Sequence, residues 1–144
     1  MKLFTAKRMA FSQKNLIIKK STIPGAGLGL FTRRPILKGT FIIEYKGRIS
    51  PWKKVNSMDG ANPYIMYVNR NHVIDALSFK KAKAKFANDA RGLKKIKGKT
   101  NNSVYIKKGL RVYIQAKKNI EAGSEILVNY GKDYWDAVKY NRSL

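Results

Sequence analysis

β-branched and aromatic runs of a few residues recur along this chain, each cut off by Gly, Pro or Asn, and that spacing restricts the folds open to it. Leu16-Ile17-Ile18 runs into Lys19 and Lys20, and residues 28–32 follow the turn at Pro24-Gly25. Residues 40–45 lie between Gly39 and Gly47. Two hairpins are predicted, residues 64–68 with 72–77 about Asn69-Arg70-Asn71, and residues 104–106 with 110–116 about Lys107-Lys108-Gly109. Ile126-Leu127-Val128 reads as the last strand. Helix-forming composition is confined to residues 78–86 and 132–140. The alternating βα pattern of a nucleotide-binding sheet is absent, so a mainly β, irregular domain is expected.

At 144 residues the chain suits one domain and buries a core without disulfide or metal staples. No cysteine is present, which excludes a disulfide framework, a thiolate zinc site and a cysteine nucleophile. The single histidine, His72, builds neither a His-rich metal centre nor the usual serine triad. Tyr, Lys, Asp, Glu and backbone groups are left to do chemistry. Lys and Arg number 31 against 8 acids, a net charge of +23 that attracts polyanions. No apolar run approaches a membrane span, and residues 1–13 carry no continuous apolar stretch of the signal-peptide kind. A cytoplasmic, nucleoid or nuclear setting is the expectation.

Three segments carry chemistry. In Gly25-Ala26-Gly27-Leu28-Gly29-Leu30-Phe31 the glycines alternate. A dinucleotide site needs another spacing and a following long helix, whereas here Arg33-Arg34-Pro35 follows; a phosphate loop needs Lys and then Ser or Thr after its last Gly. Both readings fail. Alternate glycines do permit a sharply bent, extended backbone that a ligand can approach closely, or simply a glycine-rich turn. Asn88, in Phe86-Ala87-Asn88-Asp89, offers two donors and an acceptor, fit for a ligand edge, a crossing loop or a helix cap. The third segment runs Glu125-Ile126-Leu127-Val128-Asn129-Tyr130-Gly131-Lys132-Asp133-Tyr134-Trp135.

In this order and at these separations the three segments resemble the SET-domain protein lysine methyltransferases, over about residues 16–135. The likeness is to the small, minimal members that lack a Cys-rich zinc segment after the domain. It implies a fold of several small curved sheets with few short helices, around a pseudoknot-like threaded C-terminal segment. It implies methyl transfer from S-adenosylmethionine to a lysine on a protein substrate, histone-like or otherwise basic and nucleic-acid-associated. On the matching positions Ala26, Gly27 and Leu28 would give backbone groups to the amino-acid end of the cofactor, with Gly29 keeping the bend. Tyr64, Asn88, Asp89 and Tyr130 would complete the cofactor site. Tyr130, Tyr45 and Tyr105 would form the lysine channel, Tyr130 at its catalytic position. Two departures stand out: Asp89 replaces the family's histidine, and Val128 occupies a place where many members carry Phe or Tyr.

In-line displacement on a sulfonium needs a neutral amine, held in line by polar groups inside a dry channel, and tyrosines suit that task. One of the scattered acids, Glu44 foremost, is expected at the channel mouth to offset repulsion between a +23 protein and a lysine substrate. Tyr134 and Trp135 are expected to pack over the cofactor adenine or to close the lysine channel, and without Cys the site would be closed by the chain's own tail, by a second copy in a homodimer, or by the substrate. The expected division is an arm at 1–14, the SET domain at 15–135 and a tail at 136–144. Another reading of the charge is a basic nucleic-acid-binding β domain without catalysis, with Lys94, Lys95, Lys97 and Lys99 on phosphates.

Overall fold

The computed structural model describes residues 11–55, 62–91 and 97–131. Within them lie eight strands, one short α-helix and two 3-10 turns. In chain order the strands are β1 (Leu16–Lys20), β2 (Leu28–Thr32), β3 (Phe41–Glu44), β4 (Arg48–Ser50), β5 (Ile65–Asn69), β6 (His72–Asp75), β7 (Ser103–Lys108) and β8 (Arg111–Ala116). The α-helix α1 is Trp52–Val55, and the 3-10 turns are Gln13–Asn15 and Ala84–Phe86. They form three small antiparallel sheets, β1-β2, β3-β8-β7 and β4-β6-β5.

Period-two patterning places the sheets on a shared core. Along β8, Val112, Ile114 and Ala116 are buried while the residues between them reach outward. Leu30, Ile36, Ile42, Val73, Ile126 and Val128 join them among the most deeply buried side chains. Each such aliphatic side chain contributes roughly 1.5–3 kcal/mol relative to exposure. Strand β2 departs from alternation, with residues 29–32 all buried. Its two edges explain this: one pairs with β1, and the other bonds the C-terminal segment through Ile126 N–H to Leu30 C=O (2.7 Å) and Thr32 N–H to Ser124 C=O (3.1 Å).

Both predicted hairpins are present with shorter turns: in the first, Asn69 stays in β5 and pairs with His72, which leaves Arg70-Asn71. In the second, Lys107 and Lys108 stay in β7 and pair across to Val112 and Arg111, which leaves Gly109-Leu110 as a two-residue turn. Gly109 has φ +62°, the type II′ choice that matches strand twist. The helix expected over 78–86 is reduced to the single turn Ala84–Phe86. The preceding backbone makes only i to i+3 bonds, such as Phe79 N–H to Ala76 C=O and Ala82 N–H to Phe79 C=O. The ammonium of Lys85 takes the carbonyls of Ala76 (3.0 Å) and Phe79 (2.9 Å), fixing those turns. The helix expected over 132–140, the tail and most of the arm lie outside the described residues.

Candidate active site

The C-terminal stretch 125–130 is not a ladder strand but a rod held on several sides. Antiparallel to it runs β2, at Phe31 and Glu125. Parallel to it run Asn88, opposite Leu127, and Ser103, opposite Val128. Val128 N–H donates to Asn88 C=O (2.8 Å), and Asn102 N–H and Ser103 N–H both donate to Leu127 C=O (2.9 and 3.0 Å). The Asn102 side chain closes the other edge, giving its amide to Glu125 C=O and accepting Leu127 N–H at 3.0 Å. The crossing is thus completed by the Asn102 side chain, which stands in for a missing ladder neighbour.

Asp89 clasps this crossing. Its carboxylate is buried and accepts Tyr130 N–H (2.9 Å), Arg91 N–H (2.8 Å) and the Asn101 amide (2.9 Å). Asn101 in turn accepts Ala90 N–H at 2.8 Å. Where the family's histidine would stand, this chain has an anion that draws donors from three segments together, which is the crossing-strand role open to a carboxylate.

Glu125 plays the matching part on the glycine side. Its buried carboxylate accepts the Ser21 hydroxyl (2.7 Å), Thr22 N–H (2.9 Å) and the Thr22 hydroxyl (2.6 Å). The Asn88 amide reaches it at 3.4 Å and gives its shorter bond, 2.9 Å, to Leu28 C=O. One side chain therefore ties the glycine segment to the C-terminal rod. Sequence reading missed the Ser21-Thr22 contribution; two hydroxyl residues just ahead of the glycines were its only trace.

The glycines divide their work differently from the sequence reading. Gly25 and Gly27 make the bend, with φ +78° and +74°. Gly29 lies in β2 with ordinary φ, and a Cβ there would run into the Glu125 carboxylate and the Ser21 side chain. Gly29 is required by close approach, not for the bend. At Gly25 and Gly27 the place of a Cβ is open, so this backbone is bare on one side. Ala26 N–H is used by Ile23 C=O and Gly27 C=O by Ser21 N–H, which hold the bend from within.

The three channel candidates come together. Tyr105 stacks against Tyr130 with ring centroids 6.3 Å apart and planes 19° from parallel, and it meets Tyr45 edge-on, also at 6.3 Å. The Tyr130 hydroxyl donates to Ala87 C=O (2.5 Å), and the Tyr45 hydroxyl to Tyr64 C=O (3.0 Å). With Pro63, Met66 and Lys85 these three tyrosines line a cavity of about 70 Å³, several times what one water needs, roughly 10–15 Å³. Tyr64 is displaced from the rest: its ring packs edge-on against Phe86, with the Lys85 ammonium 5.3 Å from its centre. A more open hollow of about 400 Å³ at the β5–β6 turn shares no residue with this cluster and holds only His72 and Arg70 as charged or titratable groups.

No carboxylate lies among the described residues that line the tyrosine cavity; its charged member is Lys85. Glu44 instead approaches Arg111 at 4.0 Å. The Arg111 guanidinium has its pKa raised, first by a hydrogen bond with Tyr113 and then by Glu44. In an extended strand Glu44 and Tyr45 point to opposite faces, so the carboxylate turns from the side carrying the phenol. Among the described residues there is no group of His, Cys, Asp and Glu that would hold a metal ion. Lys94, Lys95, Tyr134 and Trp135 lie outside the described residues.

A model of the SET domain matches residues 27–131, from inside the glycine segment through Asn88-Asp89 to Gly131. The chain is 30% identical to histone-lysine N-methyltransferase EZ2 of Zea mays over 86% of its own length. It is 29% identical to histone-lysine N-methyltransferase EZ1 of Oryza sativa subsp. japonica over the same share. It spans only 14% of the length of either relative. Among solved structures, the methyltransferase domain of human PR domain-containing protein 2 superposes with a TM-score of 0.61, covering 88% of this chain and 83% of that one at 22% identity. That likeness is one of fold and agrees with the small sheets and the bonded C-terminal rod. With nearly three quarters of its residues inside the matched region, the chain belongs to the SET-domain family.

Proposed function

We propose that this protein transfers a methyl group from S-adenosylmethionine to the side-chain amine of a lysine in a protein substrate. The observation that carries the reading is the tyrosine cavity, where two stacked phenols and an edge-on third border a half-open space completed by Pro63, Met66 and Lys85. Such walls exclude water and favour the uncharged amine, which is the nucleophile. The names of the Zea mays and Oryza sativa relatives support a histone or another basic protein as substrate.

The cofactor's fit is supported by the open backbone at Gly25 and Gly27, where no atom of the described residues comes within 4 Å of the place of a Cβ. Ala26, Gly27 and Leu28 would hold its amino-acid end, with Asn88, Tyr64 and the backbone at Asp89 and Tyr130 beside it. The Asp89 carboxylate already serves three protein donors, so its part is to position Tyr130. When bound, S-adenosylmethionine supplies the methyl group: the N–C bond forms as the S–C bond breaks, and sulfur keeps the electron pair of the broken bond.

The residues of the chain then have three tasks. Tyr130, held at its backbone by Asp89 and at its hydroxyl by Ala87, presents a fixed phenol at one wall. Tyr45 and Tyr105 align the aliphatic stem of the lysine and keep bulk water away. The ammonium proton must leave to solvent before transfer, because the lone pair makes the new bond. Alignment of nitrogen, carbon and sulfur is worth several kcal/mol of barrier, of order 7–11 at best.

The test is incubation with isotopically labelled S-adenosylmethionine and a panel of basic proteins, this chain included, with the labelled residue located by mass spectrometry. Label on lysine, lost in Tyr130→Phe, is the expected result. Absence of label together with absence of calorimetric cofactor binding would refute the reading.

A further inference from the structure

We propose a second binding surface, for the phosphate backbone of duplex DNA, on the loops at the β1–β2 end of the molecule. It does not depend on the methyl-transfer reading. Three loops meet there, residues 12–15, 33–40 and 117–124, and the backbone joins them. Arg33 N–H donates to Asn15 C=O (2.7 Å), and Ile36 and Ile120 exchange N–H to C=O bonds at 2.8 Å each way. Lys38 N–H donates to the Asn119 side chain at 2.8 Å. The three loops are therefore one surface with fixed spacing rather than three independent segments.

That surface carries Lys14, Arg33, Arg34, Lys38, Lys117 and Lys118, all exposed, and its only acid is Glu121. None of the six takes part in an ion pair among the described residues, whose ion pairs are Arg48 with Asp75 and Arg111 with Glu44. Like charges held close together by a fixed backbone repel, and a polyanion relieves the repulsion while releasing its own counterions. The exposed guanidinium groups of Arg33 and Arg34 can each present a fork of N–H groups that suits the paired oxygens of a phosphodiester.

The placement separates this surface from the tyrosine cavity without isolating it. Lys117 follows Ala116, which pairs with Ser103 at the start of β7, and Tyr105 lies two residues further along that strand. Two strand residues span roughly 7 Å. The loops share no residue with the cavity lining, and a duplex seated on them would bring lysine-bearing proteins on the same duplex within reach. The positive charge thereby acquires a task that the tyrosines do not supply.

The experiment is fluorescence anisotropy of a labelled random-sequence duplex titrated with the full chain across a salt series. Six cations predict a slope of log affinity against log salt of about −4 to −5.5. Arg33→Ala/Arg34→Ala/Lys117→Ala/Lys118→Ala is expected to flatten that slope by about 3 and to weaken low-salt binding by about 30-fold or more. The control Lys46→Ala/Lys53→Ala/Lys54→Ala/Lys107→Ala removes the same charge from other exposed positions and should keep most of the affinity. Equal loss in the two variants would overturn the proposal, since the net charge alone would then account for binding. So would no binding by the wild type at low salt, or binding to anionic lipid vesicles in its place. The readout needs neither cofactor nor turnover, so its failure is distinct from a failure of the methyl-transfer reading.

Discussion

The carboxylate of Asp89 accepts the backbone N–H of Tyr130 at 2.9 Å, across 41 residues of sequence. The same side chain takes Arg91 N–H and the Asn101 amide, and it is 3% exposed. The residue that differs from the family's usual histidine is therefore the one that fixes the proposed catalytic tyrosine in place. Asp89→Ala takes the acceptor from three donors, the Asn101 amide buried and the Tyr130 and Arg91 N–H groups partly so, and is expected to cost about 3 kcal/mol. Asp89→His offers at most one acceptor nitrogen and should not rescue the loss. Urea unfolding midpoints check both. A His variant as stable as wild type would show that the carboxylate is not needed there.

Tyr130→Phe separates chemistry from folding. The phenol donates to Ala87 C=O, and losing one such bond costs about 1 kcal/mol. The ring contacts with Tyr105 survive in the variant. Turnover, by contrast, is expected to fall about 10²–10³-fold, the scale for removing one preorganised polar group from a reacting centre. Single-turnover methylation with saturating cofactor, beside calorimetric cofactor affinity, gives the comparison. Unchanged turnover would remove Tyr130 from the reaction.

The strands of this protein were legible because β1, β3, β5, β6 and β8 are short apolar, β-branched or aromatic runs cut off by turn residues; alternating burial is clear along β8 alone of these. The clustering of Tyr45, Tyr105 and Tyr130 was legible only through their likeness to a family pattern, since spacing alone cannot bring three distant phenols together. The failures have local causes. Lys and Ala at 80–85 carry helix propensity, but nine residues are too few to hold a helix without a packed face, and the Lys85 ammonium prefers the carbonyls of Ala76 and Phe79. Residues 126–128 read as a strand, yet their partners are Asn88, Asn102 and Leu30 from separate segments, which no local pattern encodes. The buried roles of Asp89 and Glu125 were hidden for the same reason: their donors come from segments remote in sequence.

Gly29 and Glu125 should be energetically coupled. A Cβ at position 29 collides with the Glu125 carboxylate, so Gly29→Ala alone is expected to cost about 1–3 kcal/mol through overpacking. Glu125→Ala alone strands the Ser21 and Thr22 donors, an expected cost of about 3 kcal/mol. In the double variant the collision with the carboxylate is gone, and the losses should fall short of their sum by about 1 kcal/mol or more. A double-mutant cycle in urea measures the shortfall. Strict additivity would mean that the Glu125 carboxylate is not what a side chain at position 29 collides with.

Tyr105 is expected to limit how many methyl groups the lysine receives. Val128 is fully buried and bridges Ser103, so the position where many family members carry an aromatic here brings no hydroxyl to the channel. Tyr105 stacks on Tyr130 from the neighbouring strand and is the nearest replacement. A hydroxyl at that wall fills volume and hydrogen-bonds the amine, which holds a methylated nitrogen away from the in-line position. Removing that single oxygen from a cavity of about 70 Å³ frees room for a second methyl. Wild type should therefore yield chiefly monomethyl-lysine, and Tyr105→Phe a mixture rich in dimethyl-lysine with the first transfer slowed less than about 10-fold. Val128→Phe should act in the opposite sense by narrowing the space. Intact-mass analysis of a peptide substrate over a time course reads the product states directly, and identical distributions in wild type and Tyr105→Phe would assign the limit to another residue.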